Sequence, residues 1–503
     1  MLGALERYGL YQLVQDGCVK HGLDASAMRL ALDSFALALT LRQGCVEGVR
    51  RLATPTASTL FWADDAPSAD WVRRTLGCFA DKGADAFHLG MMGKYLKAVR
   101  AESGATVFYV DNHLRKYVGQ EVLRRGWRMQ DKRVRPGVTD YYIHDVEGNP
   151  LLREVSPSHA SLPAVILGIA DSLRAALGED ARILLAFDRA GAFPETLSGL
   201  RNESFEFVTY ERRPYRLLSP SEFTREMVLD LGEERDPETI RFAEFTHALG
   251  KGRGDVRRIA TLTPEQEQVN MLAVGMTRAE QLIAILRGRW HQENGLKHGV
   301  ERWQVNHLDG RRTVAYSPDT VVPNPARRRL DSTLRTACVQ EGLARRLLAR
   351  LAEGDPEREE AECDLAEALA LQQELLARRP TTPKKAPLAQ TELAGKLVYH
   401  SPAYKTVLDT VRIACANAEA DLAETLAPHL PRAAEAKMTL SNLLVAPGRV
   451  EVNARTIQVH LAPAGTGPEQ AAYAKCCTRV NADNLVLPGD PSRRALRFAC
   501  QPR

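Results

Sequence analysis

Two short apolar runs that each end in an aspartate constrain this chain more than any other feature. TVFYVD (residues 106–111) and RILLAFD (182–188) are apolar at consecutive rather than alternate positions. That pattern predicts strands covered on both faces, as in a sheet flanked by helices. Each aspartate stands where its strand leaves the core, so both carboxylates are expected at strand ends.

Around these runs the chain reads in order. Residues 1–103 look mainly helical: Asp24 is suited to cap a helix reaching Leu41, Gly44 follows, and a second helix runs from about Ser68 to Phe79. The closeness of 25–41 and 46–52 leaves two readings open, a DNA-reading helix-turn-helix or a helical region that only packs. DYYIHDVEGNPLLREVS predicts two strands turned at Gly148-Asn149. A helix at 162–177 and a strand at 203–210 follow. The polar interval 211–262, with a loop at GKGRGD and one strand at VRRIATL, reads as an insertion. MTRAEQLIAILRGRWHQENGLKHG (276–299) then predicts one helix, capped by Thr277, ended by Gly299 and striped by Ala279, Leu282, Ile283, Leu286 and Trp290. This order predicts an α/β mixed sheet flanked by helices, with an inserted subdomain and helical N- and C-terminal regions. It is also the order of a ribonuclease H-like core.

Beyond Gly310 a basic helix (Arg327 to Arg350) and an acidic one (from Glu357) meet at Gly354-Asp355-Pro356 and predict an antiparallel hairpin. A proline-rich linker spans 378–388. A helix at 408–426, stopped by Pro428, and a β-hairpin turned at Asn453-Ala454 fill the last segment. Four segments result: a helical region 1–103, a core 104–310 with its insertion at about 211–262, a charged hairpin and linker 311–388, and an α+β region 389–503.

Composition narrows the partners only weakly. A net charge of +4 on 503 residues does not establish a polyanion partner, so that argument must come from local clusters. Nine cysteines without a CxxC pair argue against both a disulfide framework and a Cys/His metal site. No run is long and apolar enough to span a membrane, and a cytoplasmic location is expected.

Chemistry gathers at three acids. On a helical repeat Arg289, Glu293 and Lys297 stack one above another, which by itself describes an exposed ion-pair ladder. With Asp111 and Asp188, however, Glu293 completes the set that two-metal phosphoryl transfer needs. Asp111 in VDNH also suits a simple turn, and Asp188 a local pair with Arg189. Asp140, Asp145 and Glu154 are rivals, and their alternation with tyrosines and leucines predicts solvent-facing positions. Between Asp111 and Arg135 lie eight cations (Arg115, Lys116, Arg124, Arg125, Arg128, Lys132, Arg133, Arg135) against three acids, interleaved with Tyr117 and Trp127. The mixture suits a phosphate backbone with an unstacked base, or an amphipathic helix from 118 to 127.

VFYVDNHLRKYVG, LLAFDRAGAF and RGRWHQENGLKHG, with their acids 77 and 105 residues apart, resemble in order the three catalytic blocks of DDE transposases from bacterial insertion sequences. The resemblance covers about 104–309, and NAEADLAETLAPHL, VAPGRVEV and LVLPGD resemble the ending of some of these proteins. It implies a ribonuclease H-like core with Asp111, Asp188 and Glu293 as catalytic metal ligands for two Mg2+ or Mn2+ ions. It further implies hydrolysis at double-stranded transposon ends and joining of the 3'-hydroxyl to target DNA, by a homodimer in the DNA complex. Arg289 resembles an arginine that binds DNA in one large group; Leu286 and Val300 stand where that group has tyrosine and lysine. Lys297, Arg115, Lys116, Arg124, Arg125 and Arg128 are the further DNA-binding candidates. The alternatives are a nuclease of the same fold without strand transfer and an inactive DNA-binding or assembly protein.

Overall fold

A computed structural model describes residues 1–52, 65–100, 104–156, 159–230, 236–263 and 265–500. Two compact units emerge, one of Met1–Tyr117, Arg125–Arg311 and Ser401–Arg503, the other of Val118–Arg124 and Arg312–His400.

The larger unit opens with helices α1 (Leu2–Arg7), α2 (Leu10–His21), α3 (Ala25–Thr40) and α4 (Ala69–Ala98). Asp24 caps α3 by accepting from the N–H groups of Ser26 and Ala27. Helix α3 is buried along most of its length, through Met28, Ala31, Leu32, Phe35, Ala36 and Leu39 among others, as a packing helix would be. Helix α4 runs well past the expected Phe79. Its glycines weaken local helix preference, but Phe87, Met91 and Leu96 continue the buried stripe and tertiary packing carries the helix onward.

The strands begin with β1 (Thr106–Lys116), followed by β2 (Val122–Leu123, in the smaller unit), β3 (Arg125–Arg128), β4 (Arg133–His144) and β5 (Pro150–Ser156). Next come α5 (Leu162–Leu177), β6 (Ile183–Phe187), α6 (Pro194–Asn202) and β7 (Glu206–Tyr210). Strand β4 lies antiparallel to both β1 and β5, whereas β6 lies parallel to both β1 and β7. Parallel neighbours need crossovers, and α5 and α6 supply them.

The expected insertion is itself a sheet extension. Strands β8 (Arg225–Leu229), β9 (Glu238–Ala248), β10 (Asp255–Leu262) and β11 (Gln268–Val274) continue the order β7–β11–β10–β9–β8 by antiparallel pairing. Only β10 was legible beforehand. Strand β9 mixes charged positions with the buried Ile240, Phe242 and Ala243, and that interruption hides its period.

Helices α7 (Ala279–Arg287) and α8 (Trp290–Arg302) close this part of the chain. Phe108, Val110, Leu185 and Phe187 face a core shared with the N-terminal helices and α5. Tyr109, Leu184 and Ala186 face Leu282, Ile283 and Leu286 of α7. Strands β1 and β6 are therefore covered on both faces, as their continuous apolar runs predict.

The smaller unit contains β2, β12 (Thr313–Ala315), β13 (Val321–Pro323), α9 (Pro325–Leu348), α10 (Pro356–Arg378), β14 (Lys385–Pro387) and β15 (Leu397–His400). Helices α9 and α10 are the basic and acidic arms of an antiparallel hairpin, and part of the expected linker is strand β14, paired to β13. The chain then returns to the larger unit with α11 (Ala403–Leu426), α12 (Ala436–Leu444), β16 (Gly448–Val452), β17 (Thr456–Leu461), α13 (Gly467–Ala482) and β18 (Ala495–Cys500). Strands β16 and β17 form the expected hairpin, to which β18 adds in parallel. Among the described residues no helix is long and apolar enough to cross a membrane.

Helix α11 meets the sheet through charge. Four cations (Arg115, Arg153, Lys405, Arg412) share three carboxylates (Asp140, Asp309, Asp409), all with buried side chains. Asp140 lies 3.1 Å from Arg115 and 2.9 Å from Arg153; Asp409 lies 3.0 Å from Arg153, 2.9 Å from Lys405 and 2.7 Å from Arg412. Burial opposes ionisation of Asp409, but Lys405, Arg153 and Arg412 outweigh it and hold its carboxyl well below the usual range. Burial lowers the Lys405 ammonium to about 8. Asp409→Asn leaves three buried cations short of a partner, and we expect it to lower unfolding stability by about 3–5 kcal/mol in denaturant titrations near neutral pH.

His88 on α4 is enclosed beside this network, 2.8 Å from the Thr410 hydroxyl and 3.1 Å from the Arg153 carbonyl. Burial, aided by the Arg153 guanidinium, pushes its pKa down to about 4, and burial pushes His144 down to about 3. Between the ordinary value of 6.5 and these values, the unfolded chain takes up protons that the folded imidazoles refuse. Stability is therefore expected to fall as pH drops below 6.5, by up to about 3 kcal/mol for His88. Unfolding midpoints at about pH 7 and about pH 5 measure the loss, which should shrink in His88→Gln.

Candidate active site

Val110 of β1 lies opposite Phe187 of β6 in parallel register. The next residues on the two chains are Asp111 and Asp188. Asp188 lies just past the end of β6 as expected, whereas Asp111 is neither at a strand end nor in a turn, because β1 continues to Lys116 in pairing with β4. Because strand side chains alternate, both continue the face of Tyr109 and Ala186, which is the face beneath α7.

Two tyrosines pin the end of α7 over the sheet. The Tyr109 hydroxyl donates to the Ile285 carbonyl at 2.8 Å and the Tyr210 hydroxyl to the Leu286 carbonyl at 3.3 Å, satisfying acceptors that a helix end leaves open. The chain breaks at Gly288 and restarts as α8 at Trp290, so the single helix expected over 276–299 is two. A Cβ at Gly288 would lie 3.0 Å from the Ala284 carbonyl oxygen and 3.2 Å from the Tyr109 hydroxyl, so the crossing is tight for any larger residue. The outer limits shift too: Arg278 is the N-cap, Thr277 contacts Glu206 instead, and α8 passes Gly299 to Arg302. Trp290 leaves the α7 stripe and stacks on His291.

This break aims Arg289 at the sheet. Its side chain, 10% exposed, brings a guanidinium nitrogen 3.4 Å from Asp111 Oδ2, and Asp111 also accepts from the Asn112 N–H at 2.7 Å. Burial pushes the Asp111 carboxyl up; Arg289 pulls it down, while the negative charges of Asp188 and Glu293 push it up again. Asp188 and Glu293, the other two acids singled out from the sequence, thus both lie within electrostatic reach of Asp111. Asp188 is 43% exposed, with Arg189 at 3.8 Å, and Glu293 and Lys297 are exposed on α8.

Helix α8 rests on a turn whose role the sequence does not announce. In the β4–β5 turn Asp145 accepts from the N–H groups of Glu147 and Asn149, and Gly148 adopts a left-handed φ of 82°. A Cβ on Gly148 would meet the His291 carbonyl oxygen at 2.2 Å, and one on Gly295 would meet the Gly148 oxygen at 2.0 Å. Backbone presses on backbone through paired glycines. The available signal was Gly295 itself, unfavourable inside a helix unless something needs the space.

Several candidates lie elsewhere than expected. Arg115 turns inward to Asp140 and offers nothing to a phosphate. Asp140 and Asp145 are buried rather than solvent-facing, because cations and turn amides respectively satisfy them, whereas Glu154 is exposed. Residues 118–127 form no helix: β2 and β3 occupy the segment. Arg124, in the smaller unit, lies over the Tyr316 ring and donates to the Val321 carbonyl. Lys116 and Arg125 are exposed, and Arg128 pairs with Asp131 at 2.6 Å. Strand β3 pairs with Arg133–Pro136 of β4, beyond the point where β1 ends opposite Gly137, so a two-stranded ribbon extends past the sheet. Trp127 stands on it, 57% exposed, opposite Val134.

Residues 18–495 match a family model described as "Transposase protein". The chain belongs to this family. No curated protein matches it. In the transposase, no three His, Cys, Asp or Glu side chains among the described residues stand grouped to hold a metal ion as they are. The donor chemistry at Asp111, Asp188 and Glu293 nevertheless suits a hard divalent cation: all are oxygen ligands, and their mutual repulsion is what a cation relieves.

Gly295→Ala is expected to push α8 off the turn and to destabilise the transposase by about 1–3 kcal/mol, read by thermal unfolding. Hydrogen exchange should show the loss of protection concentrated in α8.

Proposed function

We propose that this transposase is a DDE enzyme of the bacterial insertion-sequence kind. It hydrolyses the phosphodiester at a transposon end and joins the freed 3'-hydroxyl to target DNA. What carries the reading is the position of Asp111 within β1 and Asp188 just past the end of the parallel β6, each one residue beyond the Val110–Phe187 pair, with Asp188 and Glu293 in electrostatic reach of Asp111. The order β5–β4–β1–β6–β7, antiparallel and then parallel, supports a ribonuclease H-like core.

Asp111, Asp188 and Glu293 would hold two Mg2+ or Mn2+ ions, which when bound supply an activated nucleophile and stabilise the leaving oxygen. Asp111 and Asp188 sit on or directly after strands covered on both faces, which limits backbone movement beneath them. Arg289 acts as an internal counter-ion for Asp111 and has spare donors for a phosphate. Lys297 and Lys116 add exposed positive charge. The β3–β4 ribbon suits DNA: from Arg125 to Pro136 five cations (Arg125, Arg128, Lys132, Arg133, Arg135) face one acid (Asp131), and exposed Trp127 and Met129 offer stacking surface.

Asp188→Asn is expected to keep affinity for end DNA and to slow cleavage by about three orders of magnitude or more. Chelation should abolish cleavage in the wild type, and added magnesium should restore it. Cleavage by Asp188→Asn at the wild-type rate refutes the assignment. Joining of pre-cleaved ends distinguishes strand transfer from hydrolysis alone.

A further inference from the structure

We propose that the α9–α10 hairpin is the surface through which two copies of this chain associate. Within the hairpin the two helices close on one thin seam. Leu330, Ala337 and Ala344 of α9 and Ala361, Ala368 and Leu375 of α10 are buried, each set spaced by seven residues. The Gln372 amide donates to Glu341 at 2.7 Å and to the Ala337 carbonyl at 3.3 Å, which fixes the register.

Further large apolar side chains are left outside that seam. Val339, Leu343 and Leu347 follow one another at four-residue steps along α9 and are 60%, 55% and 41% exposed. Leu343 and Leu347, with Ala344, Ala368 and Leu371, floor a groove of about 670 Å³ along the hairpin. Arg346 and Arg350 line its α9 side, Asp364 and Glu367 its α10 side. None of these four charges has an ion-pair partner among the described residues.

The arrangement is self-complementary. A two-fold axis running along the hairpin sets α9 of one copy antiparallel to α10 of the other at the same height. Arg346 and Arg350 then face Asp364 and Glu367 of the second copy twice over, and the leucines of both copies meet between them. The product is an antiparallel four-helix bundle with an isologous interface. DNA fits the groove poorly, because Asp364, Glu367 and the acidic face of α10 would repel phosphates along one whole wall. The inference rests on this hairpin alone and is independent of the catalytic reading.

Sedimentation of the full chain over a range of concentrations tests it, with circular dichroism confirming that each variant folds. Wild type is expected to dimerise, and Leu343→Glu with Leu347→Glu to weaken association by about tenfold or more. Arg346→Glu with Arg350→Glu, and separately Asp364→Arg with Glu367→Arg, should each give monomers, while an equal mixture of these two charge-reversed proteins should dimerise again. A monomeric wild type, dimers of either charge-reversed protein alone, or a mixture that stays monomeric overturns the proposal. So does a leucine variant that loses DNA affinity while its association is unchanged, which would assign the groove to nucleic acid.

Discussion

A line of shared charges sealed inside the larger unit is the constraint on which the rest of this transposase depends. It passes from Arg115 on β1 through Asp140 on β4 and Arg153 on β5 to Asp409, Lys405 and Arg412 on α11, and on to Asp309 beyond α8. Such pairs are poor sources of net stability, since desolvation consumes most of what attraction supplies. Their contribution is geometric. A carboxylate divided among three cations has few arrangements that leave no charge unmatched, so three strands and a distant helix are fixed together. Arg412 extends the lock by donating to the Gly44 carbonyl at 2.6 Å, which draws in the segment after α3.

A second charged contact orients the helix that carries Glu293. Near the far end of α8, Arg302 and His298 share Glu419 of α11 at 3.1 and 2.9 Å, and Arg302 also donates to the Leu39 carbonyl at 2.7 Å. Near its start, α8 rests on the glycine turn between β4 and β5. Glu293 therefore belongs to a helix held at both ends, while its side chain stays free in solvent. Asp111 has the opposite arrangement, within a paired strand and beside Arg289, and Asp188 follows directly on the buried β6. Arg289 offsets part of the charge at Asp111.

Much of this was legible in the residues and some of it was not, for reasons that can be named. Strands β1 and β6 announce themselves because a strand covered on both faces is apolar throughout. Asp188 does stand at the end of β6, but β1 runs on past Asp111 to Lys116, because β4 goes on pairing with it where the apolar run has stopped. The α9–α10 hairpin is equally plain, since charge of opposite sign on successive helices needs no tertiary context to be seen. The break between α7 and α8 was hidden because the stripe from Ala279 to Leu286 continues in phase to Trp290, while the tyrosine hydroxyls that take up the Ile285 and Leu286 carbonyls come from distant strands. Residues 118–127 carry a helix-like mixture of apolar and basic side chains but pair as strands, a choice made by β4 and β15 rather than by local preference. Asp140 fails the alternation rule because its partners, Arg115 and Arg153, come from the two neighbouring strands.

Charge bookkeeping at the level of the whole chain misses where charge is put to use. A net +4 looks indifferent to DNA, yet several of the cations behind it are committed inside: Arg115, Arg153, Arg302, Lys405 and Arg412 are all buried against carboxylates. The ribbon from Arg125 to Pro136 carries five cations and a single acid, an excess equal to that of the entire molecule. An attraction that decays over a Debye length of roughly 8–10 Å senses this local excess and not the sum. Positive charge in this transposase thus occupies two separate settings, fixing the core where water is excluded and collecting on the β3–β4 ribbon where it is not. Sequence counts alone cannot divide the one from the other.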